Sequence, residues 1–304
     1  MTDYLTPTST KEAIHLLETY AGEARIIAGG TDVMPDLRRQ KIGPRCLIDI
    51  TRIPGLDEIT VTEDFVEVGA AVTFTAIKNA PFINRHIPAL ANAARSVGAP
   101  GIQNAATWVG NIVQAMPAAD GAIVAIALEA EARILEARGA EWRPVESLFK
   151  GPGVSAVDPS RQLVTHLRFP HPRLPWGTAW QRVGRRPSLV LPILNCAVKL
   201  CLSPERRAGD HPRHIEHATI ALGPVAPRPF RARKAEAFLR GRPPTAEIFI
   251  QAGHIAQQES TPRSSPMRAS REYRLSIIPP LITDALTLAG ERAAPENRKA
   301  INQS

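Results

Sequence analysis

The stretch Ile26-Ile27-Ala28-Gly29-Gly30-Thr31-Asp32-Val33 decides how the first part of the chain folds. Its apolar start predicts a strand over residues 25–28, and Thr31 or Asp32 can cap a helix that follows. Two glycines at this junction let the backbone approach a ligand closely, and the N–H groups that open the helix favour a pyrophosphate. Taken alone, such a pair more often marks a simple turn. The Gly-x-Gly-x-x-Gly pattern of a Rossmann dinucleotide site is absent.

The segments on either side predict a mixed α+β organisation. Residues 9–12 read Ser-Thr-Lys-Glu, a capping box that opens a helix, and residues 46–50 indicate a buried strand. This order predicts a small α/β lobe that ends near residue 55. From Glu58 the apolar residues alternate, which predicts a hairpin turning at Glu63-Asp64. Residues 170–178, rich in proline, predict a linker to a second domain.

A second informative segment is Asn104-Ala105-Ala106-Thr107-Trp108-Val109-Gly110-Asn111, followed by Met116-Pro117-Ala118-Ala119-Asp120. Small residues, a hydroxyl, an amide and an acid occur here with neither a helical nor a strand period. An ordered stretch of this kind needs partners for its backbone polar groups, which a bound ligand can supply. A buried loop that satisfies its own groups explains the pattern equally well.

The composition excludes several classes of protein. The 304 residues are 44% hydrophobic and 22% charged, as in ordinary globular proteins, and the longest apolar run, Ala122–Leu128, is too short to span a membrane. The N-terminus shows no signal peptide, so we expect a cytoplasmic protein. The net charge of +8 suits an anionic cofactor or an acidic partner. We expect no nucleic acid, because aromatic residues are scarce among the arginines of residues 228–274.

The sequence predicts no metal site. Three histidines occur at intervals of three residues: His211, His214 and His217. Pro212 argues against a helix that would align them, so a solvated loop is the favoured interpretation. The chain has three cysteines, too few for an iron–sulfur cluster, and Cys196 and Cys201 would project from opposite faces of one strand.

Both informative segments, and three later ones, resemble a single family. Ala28–Asp32 resembles the first FAD loop of the flavoprotein (medium) subunits of molybdenum hydroxylases, a group that includes carbon monoxide dehydrogenase and xanthine dehydrogenase. Thr107–Asn111, with Pro117 and Asp120, resembles their second loop, usually Thr-x-Gly-Gly-Asn and then Ser-Pro-x-x-Asp. The stretches that match the family's C-terminal domain are Arg182–Arg186, Gly223–Pro229 and Ser270–Arg274.

The resemblance implies an α+β fold in two domains. Residues 1–172 would form a two-lobed PCMH-type FAD-binding domain, with lobes at about 1–55 and 56–172. Residues 173–304 would form a smaller α+β C-terminal domain of the CO dehydrogenase flavoprotein type. The chain would then be an oxidoreductase subunit of a heteromeric complex. Its FAD would be bound non-covalently, because the first loop contains no histidine or cysteine.

The resemblance also implies partners. Iron–sulfur and molybdopterin cofactors would lie only on partner subunits, a small iron–sulfur subunit and a large molybdenum subunit. FAD would take electrons from the iron–sulfur subunit and pass them to an external acceptor. We therefore expect no catalytic nucleophile, general base or metal in this chain. Two other functions stay open: a self-contained FAD oxidase, and a structural subunit that has lost its flavin.

By the same resemblance, residues 26–33 would hold the FAD pyrophosphate and residues 107–111 would line the cofactor. Asp120 would hydrogen-bond the polar chain of FAD, and Arg182 would lie near the isoalloxazine ring. A surface salt bridge explains Arg182 equally well. The full set of predicted cofactor-binding residues is Ile26, Ile27, Ala28, Gly29, Gly30, Thr31, Asp32, Val33, Thr107, Trp108, Val109, Gly110, Asn111, Asp120 and Arg182.

Two positions depart from the family pattern. Val109 stands where the family usually has glycine, and Met116 replaces the usual serine. If the backbone at residue 109 has a positive φ, a β-branched residue there would cost roughly 1–3 kcal/mol. Such a cost would weaken cofactor binding by about 5- to 150-fold without abolishing it.

Overall fold

The computed structural model describes residues 2–171, 175–186, 189–204 and 213–294. These residues form two compact units. The first contains the residues up to Ile77 together with Val97–Met116 and Glu129–His171. The second contains Lys78–Ser96, Pro117–Leu128 and the described residues from 175 onward. The chain therefore passes between the units several times. The single boundary predicted at residue 172, which lies outside the described residues, stays a prediction.

The described residues form short helices early in the chain and longer ones late. The α-helices are α1 (Thr10–Thr19), α2 (Val33–Arg38), α3 (Phe74–Asn79), α4 (Pro81–His86), α5 (Pro88–Ser96), α6 (Pro100–Gln103), α7 (Trp108–Val113), α8 (Asp120–Ala127), α9 (Arg233–Leu239), α10 (Ala246–Glu259) and α11 (Arg271–Ala293).

The strands follow the same chain order. They are β1 (Asp3–Leu5), β2 (Ala24–Ile27), β3 (Cys46–Asp49), β4 (Ile59–Val61), β5 (Phe65–Gly69), β6 (Glu131–Glu136), β7 (Gly139–Pro144), β8 (Phe149–Gly151), β9 (Val154–Ser155), β10 (Leu163–Pro170), β11 (Trp176–Val183), β12 (Leu194–Leu202), β13 (Ile215–Gly223) and β14 (Phe230–Arg231).

The first unit contains a parallel sheet, an antiparallel sheet and a short hairpin. The parallel sheet has the order β1-β3-β2, and the antiparallel sheet has the order β4-β5-β10-β6-β7. The predicted capping box is confirmed in part: the Ser9 hydroxyl accepts from the Glu12 N–H at 3.1 Å, whereas the Glu12 carboxylate accepts from the Thr8 N–H at 2.7 Å. The predicted hairpin is also confirmed, with Val61 paired to Val66. Alternation buries Val66 and Val68 completely, which gives this sheet one core face.

The second unit is built on the antiparallel sheet β11-β12-β13-β14, which α11 contacts at β11 and β12. A Cβ atom on Gly177 would lie 1.9 Å from the carbonyl oxygen of Ala289, so α11 passes directly over β11. The prediction of a linker over residues 170–178 needs correction, because β10 extends to Pro170 and β11 begins at Trp176. Close packing against a helix explains why a glycine lies inside this strand.

The sequence predicts a helix over residues 276–289, which includes Pro279 and Pro280. In the structure α11 is longer at both ends and continues through both prolines. Proline at 279 removes the N–H that would bond the Leu275 carbonyl. The Gln257 side-chain amide of α10 donates to that carbonyl at 2.9 Å instead. The helix therefore keeps a partner for the group that the proline frees. Over the described ranges, no helix combines the length and apolar character needed to cross a bilayer.

Residues 98–121, which include the second informative segment, show no helical period in the sequence, yet they contain helices. The segment contains α6 and α7, and α8 begins at Asp120. Helices α6 and α7 have four and six residues. Fewer than two turns produce too few repeats for a hydrophobic period to be recognised.

Candidate functional site

The first loop leaves β2 at Ile27 and reaches α2 at Val33. Gly30 has a φ of +67°, a conformation that strains residues with side chains. A Cβ atom on Gly29 would lie 1.9 Å from the carbonyl oxygen of Ala105. At Gly29 the first loop therefore lies directly against the backbone of the second loop, and the predicted close approach to a ligand stays a prediction.

The second loop is held by its own cap and by residues at the start of α3. The Thr107 hydroxyl caps α7 by accepting from the Gly110 N–H at 3.0 Å. The Phe74 N–H donates to the Ala106 carbonyl at 3.0 Å, and Thr73 and Thr107 form an isolated antiparallel bridge. These bonds fix the position of the loop in the first unit. The alternative interpretation, a buried loop whose polar groups are paired within the protein, is therefore correct in part.

Between the two loops lies a cavity of about 480 Å³. Every residue that lines it belongs to the first unit. All eight residues of the first loop, Ile26 to Val33, line it, as do Thr107, Val109, Gly110 and Asn111 of the second. The structure therefore brings together twelve of the fifteen residues predicted from the sequence.

The cavity wall carries polar groups without protein partners. The backbone N–H groups of Gly29, Gly30, Thr31 and Asp32 have no hydrogen-bond acceptor among the described residues. The Oδ1 atom of Asn111 is buried and has no donor in the part of the chain that the structure describes. Buried polar atoms are normally paired, so a lone acceptor of this kind indicates a missing ligand or water.

A third wall of the cavity was missed from the sequence. It comes from the hairpin β8–β9 and the chain that follows, and consists of Gly153, Val154, Ser155, Val157, Pro159, Gln162, Leu163 and Val164. Gly153 has a φ of +70°, and the Gly151-Pro152-Gly153 triplet is the turn signal that could have indicated it. Met116, at the serine position of the family pattern, lies beside Gly153 and is 39% exposed.

Three predicted site residues do not line this cavity. Trp108 is fully buried and packs edge-on against Phe169, with ring centroids 6.2 Å apart. Asp120 and Arg182 belong to the second unit. The assignment of Trp108 to the cofactor surface is thus corrected, because its side chain is part of the core.

Asp120 is buried among groups of the second unit. The Asn195 amide donates to Oδ1 at 2.5 Å, and the Ser96 hydroxyl donates to Oδ2 at 3.0 Å. Burial raises the pKa of Asp120, while Arg182, Asn195 and Ser96 oppose the rise. Arg182 donates from Nη2 to the Val190 carbonyl. The surface salt bridge considered for Arg182 is not formed with any residue that the structure describes.

Val109 causes no backbone strain. It lies inside α7, is 5% exposed, and is not among the residues with positive φ in the described chain. The condition for the predicted cost of 1–3 kcal/mol is therefore not met. In the first loop, burial and then the charge of Asp36 raise the pKa of Asp32.

The described residues contain no group of three or more His, Cys, Asp or Glu side chains that could hold a metal ion. Of the three spaced histidines, His211 lies outside the described residues. His214 Nε2 lies 3.5 Å from a carboxylate oxygen of Glu216 on an exposed surface, and His217 is in β13.

The cavity fits FAD by its donor set and its size. A volume of about 480 Å³ falls within the range of roughly 300–1,000 Å³ that is usual for cofactor sites. Backbone N–H groups without acceptors suit a pyrophosphate. Apolar side chains such as Ile27, Val109 and Val157 suit a ring system, and the Asn111 acceptor suits a ring N–H or a hydroxyl.

Comparison with known protein families gives two matches that together cover most of the chain. Residues 1–172 match the family described as the FAD binding domain in molybdopterin dehydrogenase. Residues 179–289 match the CO dehydrogenase flavoprotein C-terminal domain.

Curated and solved relatives agree with these matches. The chain is 31% identical to the xanthine dehydrogenase FAD-binding subunit of Escherichia coli O157:H7 over 284 residues, 92% of this chain and 94% of that protein. It is 27% identical to the carbon monoxide dehydrogenase medium chain of Hydrogenophaga pseudoflava, covering 96% and 98%. A solved carbon monoxide dehydrogenase from the same organism superposes with a TM-score of 0.86 at 28% identity, over 96% of this chain and 98% of that one.

Proposed function

This chain belongs to the molybdopterin dehydrogenase FAD-binding family, and we propose its function on that basis. It is an oxidoreductase subunit with an FAD-binding domain. The proposal is that it holds FAD non-covalently in the cavity between the two loops and transfers electrons within a molybdenum hydroxylase complex.

One observation carries this proposal: the cavity unites the two loops, and its wall offers hydrogen-bonding groups that the described protein leaves unpaired. The four N–H groups of residues 29–32 would bind the FAD pyrophosphate. Residues 107 and 109–111 would line the cofactor, with Asn111 as a hydrogen-bond acceptor. Two further roles rest on the family resemblance alone. Asp120 would be a partner of the polar chain of FAD, and Arg182 would lie near the isoalloxazine ring.

Bound FAD supplies the chemistry of accepting and releasing electrons, singly or in pairs. The chain's own residues bind the cofactor, orient it and limit the access of water. No side chain of the first loop can form a covalent link to flavin through histidine or cysteine, because the stretch 26–33 contains neither. The binding free energy must therefore come from the hydrogen bonds and the apolar walls of the cavity.

A relative that is a medium chain supports a proposal for the partners. The carbon monoxide dehydrogenase relative is a medium chain. By analogy, this chain would receive electrons from a small iron–sulfur subunit, next to a large molybdenum subunit, and deliver them to an external acceptor in the cytoplasm. Its net charge of +8 suits association with a more acidic partner.

Affinity purification of the tagged chain from the cells that produce it tests this assignment. We expect a small cysteine-rich subunit and a large molybdenum-binding subunit to co-purify. The isolated chain, free of iron and molybdenum, should oxidise no substrate. Oxidation of an aldehyde or a purine by that isolated chain at a normal enzymatic rate would show a self-contained oxidase instead.

A further inference from the structure

The second unit has a cavity of its own, of about 520 Å³. It lies at the end of β11, where the chain leaves the sheet. Its lining residues are Ser96, Trp180, Gln181, Arg182, Gly184, Arg185 and Arg186. No Asp or Glu is among these residues, so the charged side chains that line the cavity are all arginines.

The three arginines of this cavity donate to no carboxylate among the described residues. Among the residues that the structure describes, Arg182, Arg185 and Arg186 form no ion pair. Each donates instead to a backbone carbonyl: Arg182 to Val190, Arg185 to Arg268 at 3.2 Å, and Arg186 to Leu189. Three like charges around one cavity repel each other, and a bound anion would relieve that repulsion.

Several N–H donors at this cavity also lack acceptors. Nε and Nη1 of Arg182 and Nε1 of Trp180 are buried and have no hydrogen-bond partner in the described chain. Asp120 interacts electrostatically with Arg182, but its oxygens accept from Ser96 and Asn195. Buried donors without acceptors, one of them on a charged group, destabilise the protein unless a ligand or water supplies oxygen atoms.

We propose that this cavity binds the phosphate or pyrophosphate group of a small molecule other than the FAD held between the two loops. Guanidinium groups present several N–H donors in a planar fork that matches phosphate oxygens. A volume of about 520 Å³ exceeds what one phosphate group fills, so the organic part of the ligand also has room. The Trp180 ring offers that part an apolar surface.

Arg182 also belongs to the FAD proposal, so the source of the phosphate must be distinguished. The test therefore uses the full chain saturated with FAD, titrated with inorganic pyrophosphate by isothermal calorimetry. We expect saturable binding that leaves FAD in place. Binding that occurs only to the FAD-free chain, or that displaces FAD, would assign the cavity to the flavin and overturn the proposal.

Two variants and one control locate the binding. Arg185→Gln and Arg186→Gln should each weaken pyrophosphate binding by about tenfold or more, because each removes a charge-assisted hydrogen bond. Arg240→Gln, an exposed arginine of the same unit outside the cavity, should leave it unchanged. FAD content should be equal in all three proteins. No saturable binding to the wild type, or equal affinities in all variants, would show that the cavity is not an anion site.

Discussion

Gly29 and Gly30 are neighbours in the chain, yet glycine is needed at each for a different physical reason. Gly30 adopts a left-handed backbone conformation, whereas Gly29 has no space for a Cβ atom beside the Ala105 carbonyl. The sequence indicated that glycines belong here. It could not show that Gly29 meets the second loop, because that contact joins residues 76 positions apart.

Gly29→Ala should therefore separate the two loops. A Cβ atom 1.9 Å from the Ala105 oxygen forces a backbone shift, so we expect about 1–3 kcal/mol less stability and at least about tenfold weaker FAD binding. Gly101→Ala is the matched control, because no atom lies within 4 Å of its added Cβ. Urea unfolding and FAD titration measure both effects; equal behaviour of the two variants would contradict the loop contact.

The Asn111→Leu substitution should weaken FAD binding without lowering the stability of the FAD-free protein. The Asn111 Oδ1 atom has no partner in the described chain, so replacing the amide by an apolar group of similar size should leave the FAD-free protein equally stable or more stable. FAD binding should weaken by about tenfold, since the cofactor loses an acceptor. Thermal unfolding without FAD measures the stability, and a titration with FAD measures the binding. Lower stability with unchanged FAD affinity would show that Asn111 is only structural.

Helices and strands that a few adjacent residues specify could be predicted from the sequence, whereas contacts between residues far apart in the chain could not. The capping box of α1, the strand before the first loop and the β4–β5 hairpin are each specified by a few adjacent residues. The third wall of the cavity was missed, because β8 and β9 contain only three and two residues. The sequence placed the start of α11 five residues too late, at residue 276, although Ser270 caps the helix.

The continuity of α11 through its two prolines depends on a side chain of α10. The Gln257 amide bonds the Leu275 carbonyl that Pro279 leaves without a helical donor. Gln257→Leu should lower the free energy of unfolding by about 1–2 kcal/mol, because it leaves that carbonyl unpaired. Gln258→Leu, on the exposed side of the same helix, should change it by less than about 0.5 kcal/mol. Equal urea midpoints for the two variants would mean that Gln257 does not support the helix.

At the scale of the whole molecule, the predicted family, α+β fold class and oxidoreductase class are confirmed. The motifs carried that prediction because they occur in the same order along nearly the whole chain. They could not show which motif residues share a cavity. Asp120 and Arg182 were grouped with the two loops, but the chain leaves the first unit after Met116 and places both in the second.

Counting the flavin on the purified protein shows whether this chain holds FAD non-covalently between its two loops. The chain is incubated with FAD, freed of excess by gel filtration, and its flavin absorbance is compared with its protein concentration; acid precipitation follows. We expect close to one FAD per chain, a yellow supernatant and a colourless pellet. A folded chain that retains no FAD would show that the cavity is not a flavin site. A pellet that stays yellow would show that the flavin is covalently attached.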